Sequence, residues 1–443
     1  MPERARGYGS DAAEASGLRG TPDAVVAPGS AEDVARVVAW CYERGVAIVP
    51  RGGGTGYTGG AVPVGGGVVV ALERLARVRA LDPGAWRIEA EAGVTTATVR
   101  RLARENGLFY PPDPGAAEQS QIGGNIATNA GGPHAFKYGP TGAWVTGLEA
   151  VVAPGELIAV GGPVRKDVAG YDLRSLLVGS EGTLGLITAA WLRLIPAPEA
   201  ALPVVALYPD AGSGCAAIAR VLESGLVPAA LEYLDAGALA AASGSLPGGA
   251  PEGAGFMVAS EADGDRAAAE ALQRELADAL GDGALAVRAL SGRGEVEALW
   301  RWRGGVSLAV TARRGGKLSE DIAVPVERLR EAIAETGAIG ARHGLEALSW
   351  GHAGDGNLHA TFLVDPASDA ELERAAAAAE DLFELAVRLG GTVSGEHGLG
   401  WLKRGQLARQ WSPPAIRLHE EVKRAFDPKG LLNPGKKAGR VDA

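Results

Sequence analysis

Residues 51–60 read RGGGTGYTGG, and GTGYTG, from Gly54 to Gly59, matches the G-x-G-x-x-G fingerprint of dinucleotide-binding folds. That fingerprint needs a helix directly after its glycines, because the helix N-terminus holds the pyrophosphate. The strand-like VAIVP (46–50) precedes the loop, but the valine-rich AVPVGGGVVV (61–70) follows it where the helix should begin. The sequence therefore argues against a Rossmann domain that binds NAD. The clustered glycines still predict a backbone cradle for an anion such as a diphosphate.

Two more glycine-rich stretches follow the first. IGGNIATNAGG (122–132) combines flexible backbone with short amide and hydroxyl side chains, which suits hydrogen bonding to a polar heterocycle. GYDLRSLLVGSEGTLG (170–185) adds glycines where the backbone must run close to another group. Together the three stretches favour a ligand-binding domain over isolated surface loops.

Bulk properties exclude several classes of protein. At 443 residues, the chain predicts two or three domains. The net charge of −10, without a basic stripe, argues against nucleic-acid binding. No apolar run reaches the roughly 18 residues needed to cross a bilayer, and the start does not resemble a signal peptide. We therefore expect a cytoplasmic protein, with peripheral docking on the inner face of the membrane left open. Cys41 and Cys215 alone build neither a disulfide framework nor an iron–sulfur cluster.

The apolar periodicity predicts an α+β fold. Ser30 is the expected N-cap of a helix over SAEDVARVVAWCYERG, and a second helix is expected near TTATVRRLARENG (95–107). Between residues 205 and 395, strands alternate with Ala-rich amphipathic helices. This pattern predicts helices packed on an antiparallel sheet.

Three of the six histidines lie in GHAGDGNLH (351–359) and SGEHGLG (394–400). Asp355-Gly356 predicts a two-residue type I′ hairpin turn, which would set His352 opposite His359 with Cβ atoms ~5 Å apart. That spacing suits two ligands of one metal, with a third ligand from Glu396 or His397. The alternative is a pair of core histidines that only form hydrogen bonds.

The motifs RGGGTG, IGGNIATNAGG and GYDL...GSEGTLGLIT, in this order, resemble the PCMH-type FAD-binding domain of the vanillyl-alcohol oxidase superfamily. Within it, the chain resembles the branch of the glycolate oxidase D subunit, FAD-linked D-lactate dehydrogenase and D-2-hydroxyglutarate dehydrogenase. The resemblance implies a two-subdomain FAD-binding domain over 1–197 and a substrate (cap) domain with a helix-covered antiparallel sheet over 198–405. Segment 406–443 would return to the FAD-binding domain.

The resemblance also implies where FAD binds. Some relatives attach FAD through a histidine in the first glycine loop, but this loop has Gly54 and no histidine, so we expect noncovalent FAD. The residues expected to line FAD are Pro50, Arg51, Gly52, Gly53, Gly54, Thr55, Gly56, Pro112, Asp113, Gly123, Gly124, Asn125, Ala127, Thr128, Gly131, Gly132, Tyr138, Gly139, Glu181, Gly182, Gly185, Ile187 and Asn433.

For the reaction, the resemblance implies that His352, His359 and Glu396 bind a divalent metal, usually zinc, and that His397 is the base for the substrate hydroxyl. By the same resemblance Arg303 holds the substrate carboxylate, with Ser307 and Lys317 as further catalytic residues. Arginine suits this role because its donors form a bidentate fork. The hydride on Cα would pass to flavin N5.

The predicted function is an FAD-dependent dehydrogenase that oxidises a small D-2-hydroxy acid of the D-lactate, glycolate or D-2-hydroxyglutarate class to the 2-oxo acid. Without a heme or cluster motif, electrons must leave to a separate acceptor, which is a quinone, a cytochrome or an iron–sulfur partner. The chain is expected to be a homodimer or a subunit of a complex. The alternatives are a noncatalytic FAD-binding subunit of a glycolate-oxidase-like complex and a metal-dependent hydrolase.

Overall fold

The computed structural model of the protein describes residues 7–438, which divide into two units. The first unit comprises residues 7–132, 139–197 and 396–438, and the second comprises residues 133–138 and 198–395. The domain limits expected at 197 and 405 remain a prediction. No helix in the described part of the chain is both long and apolar enough to span a membrane.

The strands, in chain order, are β1 (Ala24–Val26), β2 (Ile48–Arg51), β3 (Val68–Ala71), β4 (Val78–Asp82), β5 (Arg87–Glu91), β6 (Leu108–Phe109), β7 (Val145–Val152), β8 (Glu156–Gly161), β9 (Leu186–Arg193), β10 (Ile195–Pro196), β11 (Ala200–Tyr208), β12 (Ala230–Leu234), β13 (Phe256–Gly264), β14 (Ala286–Ala289), β15 (Gly316–Ala323), β16 (Ala347–His352) and β17 (Asn357–Val364). The α-helices are α1 (Ala31–Arg44), α2 (Thr96–Glu105), α3 (Ile122–Thr128), α4 (Ala135–Tyr138), α5 (Leu173–Leu177), α6 (Ala211–Glu223), α7 (Ala236–Ala242), α8 (Arg266–Gly281), α9 (Arg293–Ala312), α10 (Leu329–Arg342), α11 (Asp369–Arg388), α12 (Leu407–Gln410) and α13 (Pro413–Phe426).

The first unit contains a parallel sheet of order β1-β3-β2 and an antiparallel sheet of order β4-β5-β9-β7-β8. Helix α1 begins after Ser30, whose hydroxyl accepts a hydrogen bond from the N–H of Asp33, as its sequence predicts. The apolar stripe of α1 contacts both sheets in one core cluster, which includes Val34, Val38, Cys41, Ile48, Val70, Val151 and Leu186. The helix therefore joins the two sheets through apolar burial.

The first glycine-rich loop lies between two neighbouring parallel strands. Residues 52–67 connect β2 to β3 without a helix, and Val49 of β2 lies opposite Val69 of β3. The expectation that no Rossmann helix follows RGGGTGYTGG is therefore correct. The crossover is instead built from loop backbone, with Gly54 and Gly59 at φ values of 69° and 77° in the left-handed region.

The second glycine cluster differs from its prediction. IGGNIATNAGG was expected to be flexible backbone, but α3 covers Ile122–Thr128. Ile122 and Ile126 lie one turn apart and are fully buried, and Asn129 ends the helix at a φ of 52°. Each helical glycine costs about 1 kcal/mol relative to alanine. The burial of the two isoleucines offsets this cost, so tertiary packing overrides local propensity here.

The second unit is built on a seven-stranded antiparallel sheet of order β14-β11-β13-β12-β16-β17-β15. Helices α6, α8, α10 and α11 contact its strands, as do α7 and α9. Helices α7 and α9 share a core with one sheet face, which includes Val205, Leu207, Leu234, Met257, Leu299, Trp302 and Trp350. The predicted α+β class, with helices on an antiparallel sheet, is confirmed.

The same sheet face carries a row of polar side chains. Glu232 of β12 lies opposite His352 of β16, and His359 of β17 lies opposite both Trp350 of β16 and Asp321 of β15. Directly opposed residues share a face, and residues two apart on one strand also share it. Because Trp350 belongs to the apolar core, this face changes from apolar to polar along the strands. The polar end of this face therefore carries the titratable side chains that catalysis or ligand binding would need.

The core under α9 gives a test of this packing. Leu299 is 1% exposed, so Leu299→Ala should lower the free energy of unfolding by about 2–5 kcal/mol through lost burial and a cavity. Leu308 on the same helix is 76% exposed, and Leu308→Ala is the matched control. Urea denaturation followed by circular dichroism measures both. Equal effects of the two substitutions would refute this packing of α9.

Candidate active site

The first two glycine clusters approach each other within the first unit. A Cβ on Gly52 would lie 3.5 Å from the Cα of Gly124, and a Cβ on Gly53 would lie 2.1 Å from the carbonyl oxygen of Gln119. A Cβ on Gly124 meets no protein atom within 4 Å. Glycine is therefore required at 53 by the protein itself, while the space beside Gly124 is open to a ligand.

Three buried oxygen atoms near these loops have no hydrogen-bond partner among the described residues. They are Oε1 of Gln121, Oγ of Ser180 and Oδ1 of Asn433. The amide nitrogen of Asn433 donates to the carbonyl oxygens of Gly60 and Glu181 at 2.9 and 2.7 Å. Unpaired buried acceptors are costly, and each fits a ligand that brings N–H or O–H groups, as the flavin ring and ribityl chain of FAD do. The residues present therefore fit FAD.

The sequence identified Asn433 but missed Gln121 and Ser180. The only signal in the sequence is position, since Gln121 directly precedes the second glycine cluster and Ser180 directly precedes Glu181. The first unit also contains most of the other residues predicted to line FAD, namely Pro50, Thr55, Gly56, Pro112, Asp113, Gly123, Asn125, Ala127, Thr128, Gly131, Gly132, Gly139, Gly182, Gly185 and Ile187.

Two charged residues predicted to line FAD bond to the protein. The guanidinium of Arg51 donates to the carbonyl oxygens of Ser10 and Gly7 at 2.6 and 3.2 Å. The carboxylate of Glu181 accepts from two backbone N–H groups of the SGEHGLG motif at 3.0 and 2.7 Å. Lys437 Nζ lies 3.2 Å from the same carboxylate. Glu181 therefore ties the third glycine-rich stretch to that motif.

The catalytic candidate His397 also lies in the first unit. Its ring centroid is 4.8 Å from that of Tyr57, in the first glycine loop, and its carbonyl oxygen accepts from the hydroxyl of Thr58 at 3.3 Å. The neighbouring Glu396 lies against the second glycine cluster, because a Cβ on Gly131 would come within 2.6 Å of its Oε2. The motif is thus held beside the loops that fit FAD.

The histidine hairpin has a different register from the predicted one. His352 lies opposite Asn357, and His359 lies opposite Trp350. The two-residue type I′ turn is wrong because a 3₁₀ turn over Ala353–Asp355, closed by Gly356 at a φ of 66°, separates the strands. A shift of two residues keeps a side chain on its face, so both histidines still share one face. Their ring centroids are 5.4 Å apart in an edge-to-face arrangement.

Glu232 is fully buried beside His352, and the sequence analysis missed it. Its Oε1 lies 2.5 Å from Nδ1 of His352, and its Oε2 accepts from Nε of Arg303 at 2.8 Å, with Nη2 2.5 Å away. Burial alone would raise the pKa of Glu232, but the charges and hydrogen bonds of its two partners hold that pKa well below its ordinary value. A glutamate within the apolar strand ALEYL was the available signal.

The two cations predicted to act on the substrate, Arg303 and Lys317, differ in how their charges are paired. The charge of Arg303 is already paired with Glu232, within a side chain that is only 12% exposed. Lys317 Nζ donates to Oγ and to the carbonyl oxygen of Ser307 at 2.5 and 3.1 Å, and it lies 4.9 Å from the ring centroid of Trp350. Burial lowers the pKa of Lys317 to about 8.

Two further acidic residues on the same sheet face, Glu261 and Asp263, bind helix α4 and the residue before it. Glu261 contacts His134 Nε2 at 2.9 Å and accepts from Trp300 Nε1 at 2.6 Å. Asp263 accepts from the hydroxyl of Tyr138 at 2.5 Å. Tyr138, predicted to line FAD, thus belongs to the second unit and bonds to its sheet.

The sequence models of known families match both parts of the chain. The model of the FAD binding domain matches residues 22–161, and that of the FAD linked oxidases, C-terminal domain, matches residues 197–437. The glycolate oxidase subunit GlcD of Bacillus subtilis (strain 168) is 37% identical over 416 residues, covering 94% of this chain and 88% of that protein. The D-lactate dehydrogenase of Anaerostipes hadrus is 32% identical over 424 residues, covering 94% and 89%.

The fold has a solved counterpart. The structure of p-cresol methylhydroxylase with substrate bound matches with a TM-score of 0.81 at 16% identity, covering 100% of this chain and 94% of that one. At that identity, the likeness concerns the fold alone, and it agrees with the PCMH-type fold expected from the three glycine-rich motifs. The chain belongs to the FAD-linked oxidases and carries their FAD-binding domain and their C-terminal domain.

Proposed function

We propose that the protein is an FAD-dependent dehydrogenase that oxidises a small D-2-hydroxy acid to the 2-oxo acid and passes the electrons to a separate acceptor. The observation that carries the proposal is the polar row on one sheet face, where two histidines lie together with an arginine of helix α9 and a half-buried lysine, in a family that binds FAD. The names of the two relatives supply the substrate class, since glycolate and D-lactate are both 2-hydroxy acids.

FAD would be held by the glycine loops around residues 52–54 and 124, with Gln121, Ser180 and Asn433 as hydrogen-bonding side chains. When bound, it supplies the hydride acceptor for the reaction. The protein contributes backbone that approaches the cofactor without Cβ atoms, and buried acceptors that otherwise remain unpaired.

A divalent metal, zinc in the usual case, would be held by His352, His359 and Glu396. Two imidazoles and one carboxylate are a donor set that leaves positions open for substrate. Such a metal polarises a bound hydroxyl and lowers the cost of its deprotonation. The contact of Glu232 with Nδ1 of His352 supports this role, because metal-binding histidines commonly bond a carboxylate through their other nitrogen.

His397 would take the proton of the substrate hydroxyl. Tyr57 and Thr58 hold it at the first glycine loop, next to the cofactor cradle. Lys317 and Arg303 would bind the substrate carboxylate, and Ser307 orients Lys317. Because Glu232 already neutralises Arg303, Lys317 supplies the net positive charge for the substrate.

The acceptor is proposed to be a partner protein or a quinone. The Bacillus relative is by its name one subunit of glycolate oxidase, which favours a partner protein for this chain as well. A hydrolase is disfavoured because the FAD binding domain would then have no role. A noncatalytic FAD-binding subunit is disfavoured because it has no need of a buried histidine pair beside a half-buried lysine on one sheet face.

Anaerobic reduction of the bound flavin tests the proposal. The purified holoprotein is mixed with glycolate and with the D and L forms of lactate and 2-hydroxyglutarate, and FAD and metal contents are measured on the same sample. We expect glycolate or a D-2-hydroxy acid to bleach the flavin. A protein that purifies colourless, or a flavin that no 2-hydroxy acid bleaches, would overturn the proposal.

The substitution Gly53→Ala should reduce the FAD content of the purified protein. The added Cβ would lie 2.1 Å from the carbonyl oxygen of Gln119, so the first glycine loop must move away from the second cluster. The control is Gly65→Ala in the same crossover, where a Cβ meets no atom within 4 Å. The ratio of flavin absorbance to protein measures both, and equal ratios would speak against this cradle.

The substitution His397→Gln should lower kcat by about 10²–10⁴-fold, the usual contribution of a general base, and leave the FAD content unchanged. His343→Gln is the control, because His343 pairs with Asp381 outside the candidate site. Dye-linked steady-state oxidation of the best substrate measures kcat. Similar activity in both variants would remove His397 from the mechanism.

The pH dependence of kcat/KM should reflect the ionisation of Lys317. Its pKa of about 8 means that the ammonium is present below pH 8 and lost as the pH rises. The value of kcat/KM, which reflects the free enzyme, should therefore fall above about pH 8. Lys317→Arg stays charged throughout, so its profile should lack this decline. A decline that persists in Lys317→Arg would assign it to another group.

A further inference from the structure

Glu232 begins the polar row, on a strand with neighbours on both sides. Strand β12 pairs with β13 and β16, and the Glu232 side chain has no exposed surface. Each of its carboxylate oxygens contacts a different partner, Oε1 with His352 and Oε2 with Arg303. A single buried carboxylate therefore joins a proposed metal ligand to a proposed carboxylate-binding residue.

We propose that Glu232 is a positioning residue that fixes the metal-binding tautomer of His352 and sets the spacing between His352 and Arg303. This inference rests on the proposed function, in which His352 binds the metal and Arg303 contacts the substrate carboxylate. Glu232 itself would touch neither the metal nor the substrate. It acts through its two partners.

The tautomer follows from hydrogen-bonding chemistry. An ionised carboxylate only accepts, so Nδ1 of His352 must carry the proton in their 2.5 Å contact. A neutral imidazole then has its lone pair on Nε2, which is the nitrogen that could bind a metal. The carboxylate also makes that nitrogen more basic and fixes the ring orientation.

The spacing follows from the substrate. In a 2-hydroxy acid, the hydroxyl and carboxylate groups are on adjacent carbons, so the groups that bind them must be held close together. Glu232 contacts His352 at 2.5 Å and Arg303 Nε at 2.8 Å, so neither side chain moves without breaking a buried bond. A buried charge left without its partner is strongly unfavourable, which makes this arrangement rigid.

Glu261 provides a matched comparison on the neighbouring strand. It lies on the same sheet face, is 4% exposed and also contacts one histidine, His134, at 2.9 Å. The second partner of Glu261 is the indole N–H of Trp300. His134 directly precedes helix α4, whose Tyr138 bonds to the same sheet. Loss of the Glu261 charge removes a buried carboxylate–histidine contact without touching the proposed metal ligands.

The test measures Zn²⁺ binding to the FAD-loaded protein by competition with a chromophoric chelator. In Glu232→Gln, an amide replaces the second acceptor oxygen. If the amide oxygen of Gln faces Arg303, the amide NH₂ group faces Nδ1 of His352, and the imidazole proton then lies on Nε2, the nitrogen that would bind the metal. If the amide is flipped, its NH₂ group faces the guanidinium of Arg303, and two donors oppose each other. We expect Zn²⁺ affinity to fall about 10–100-fold, while FAD content stays at the wild-type level.

Two controls separate this inference from the proposed function. Glu261→Gln should bind Zn²⁺ as the wild type does, and His352→Gln should lose the site. If His352→Gln binds Zn²⁺ normally, the proposed metal site is wrong. If His352→Gln loses Zn²⁺ while Glu232→Gln binds it as tightly as the wild type, the metal site stands and the role of Glu232 is overturned.

A second variant, Glu232→Asp, tests the inference even if Glu232→Gln folds poorly. Glu232→Asp keeps the charge that neutralises Arg303 but is one methylene shorter, so it withdraws from Nδ1 of His352. It should retain FAD, bind Zn²⁺ more weakly and lower kcat more than it raises KM, and its unfolding midpoint should fall less than that of Glu232→Gln because the charge of Arg303 stays paired. Unchanged Zn²⁺ affinity in Glu232→Asp would overturn the inference.

Discussion

A carboxylate without access to water must be paired, and the buried Glu232 imposes this constraint on the whole polar row. Its contacts require Arg303 on helix α9 and His352 on strand β16 to lie at the same depth of the sheet face. Removing one partner of such a buried pair costs about 3–5 kcal/mol. Glu232 therefore links the helix, the central strand and the histidine hairpin, which the apolar core and the strand pairing also hold together.

The antiparallel sheet makes this arrangement possible. Alternation puts Glu232 and His352 on the same face as Trp350, which packs in the apolar core under α9. The polar groups thus lie at the edge of a packed core, where side-chain geometry is well defined. Low local polarity strengthens charge interactions there and lowers the pKa of Lys317.

Much of the fold was predictable because it depends on local signals. The Ser30 cap, the strand after the first glycine loop and the helix-covered antiparallel sheet follow from periodicity and turn chemistry. The helix over Ile122–Thr128 was missed because buried isoleucines outweigh the two glycines. The hairpin register was wrong because Asp355-Gly356 belongs to a longer turn, and Glu232 was missed because its partners are about 70 and 120 residues away in sequence.

The central claim, that a Cα hydride of a 2-hydroxy acid reduces the flavin, is tested most directly by anaerobic stopped-flow mixing. The holoprotein is mixed with D-lactate carrying either protium or deuterium at C2, and the loss of the flavin's visible absorbance is followed in a single turnover. The account predicts that deuterium slows this reduction, because the C2–H bond breaks in that step. Flavin that D-lactate, glycolate and D-2-hydroxyglutarate all leave oxidised, or flavin reduction at the same rate with protium and with deuterium at C2, would contradict it.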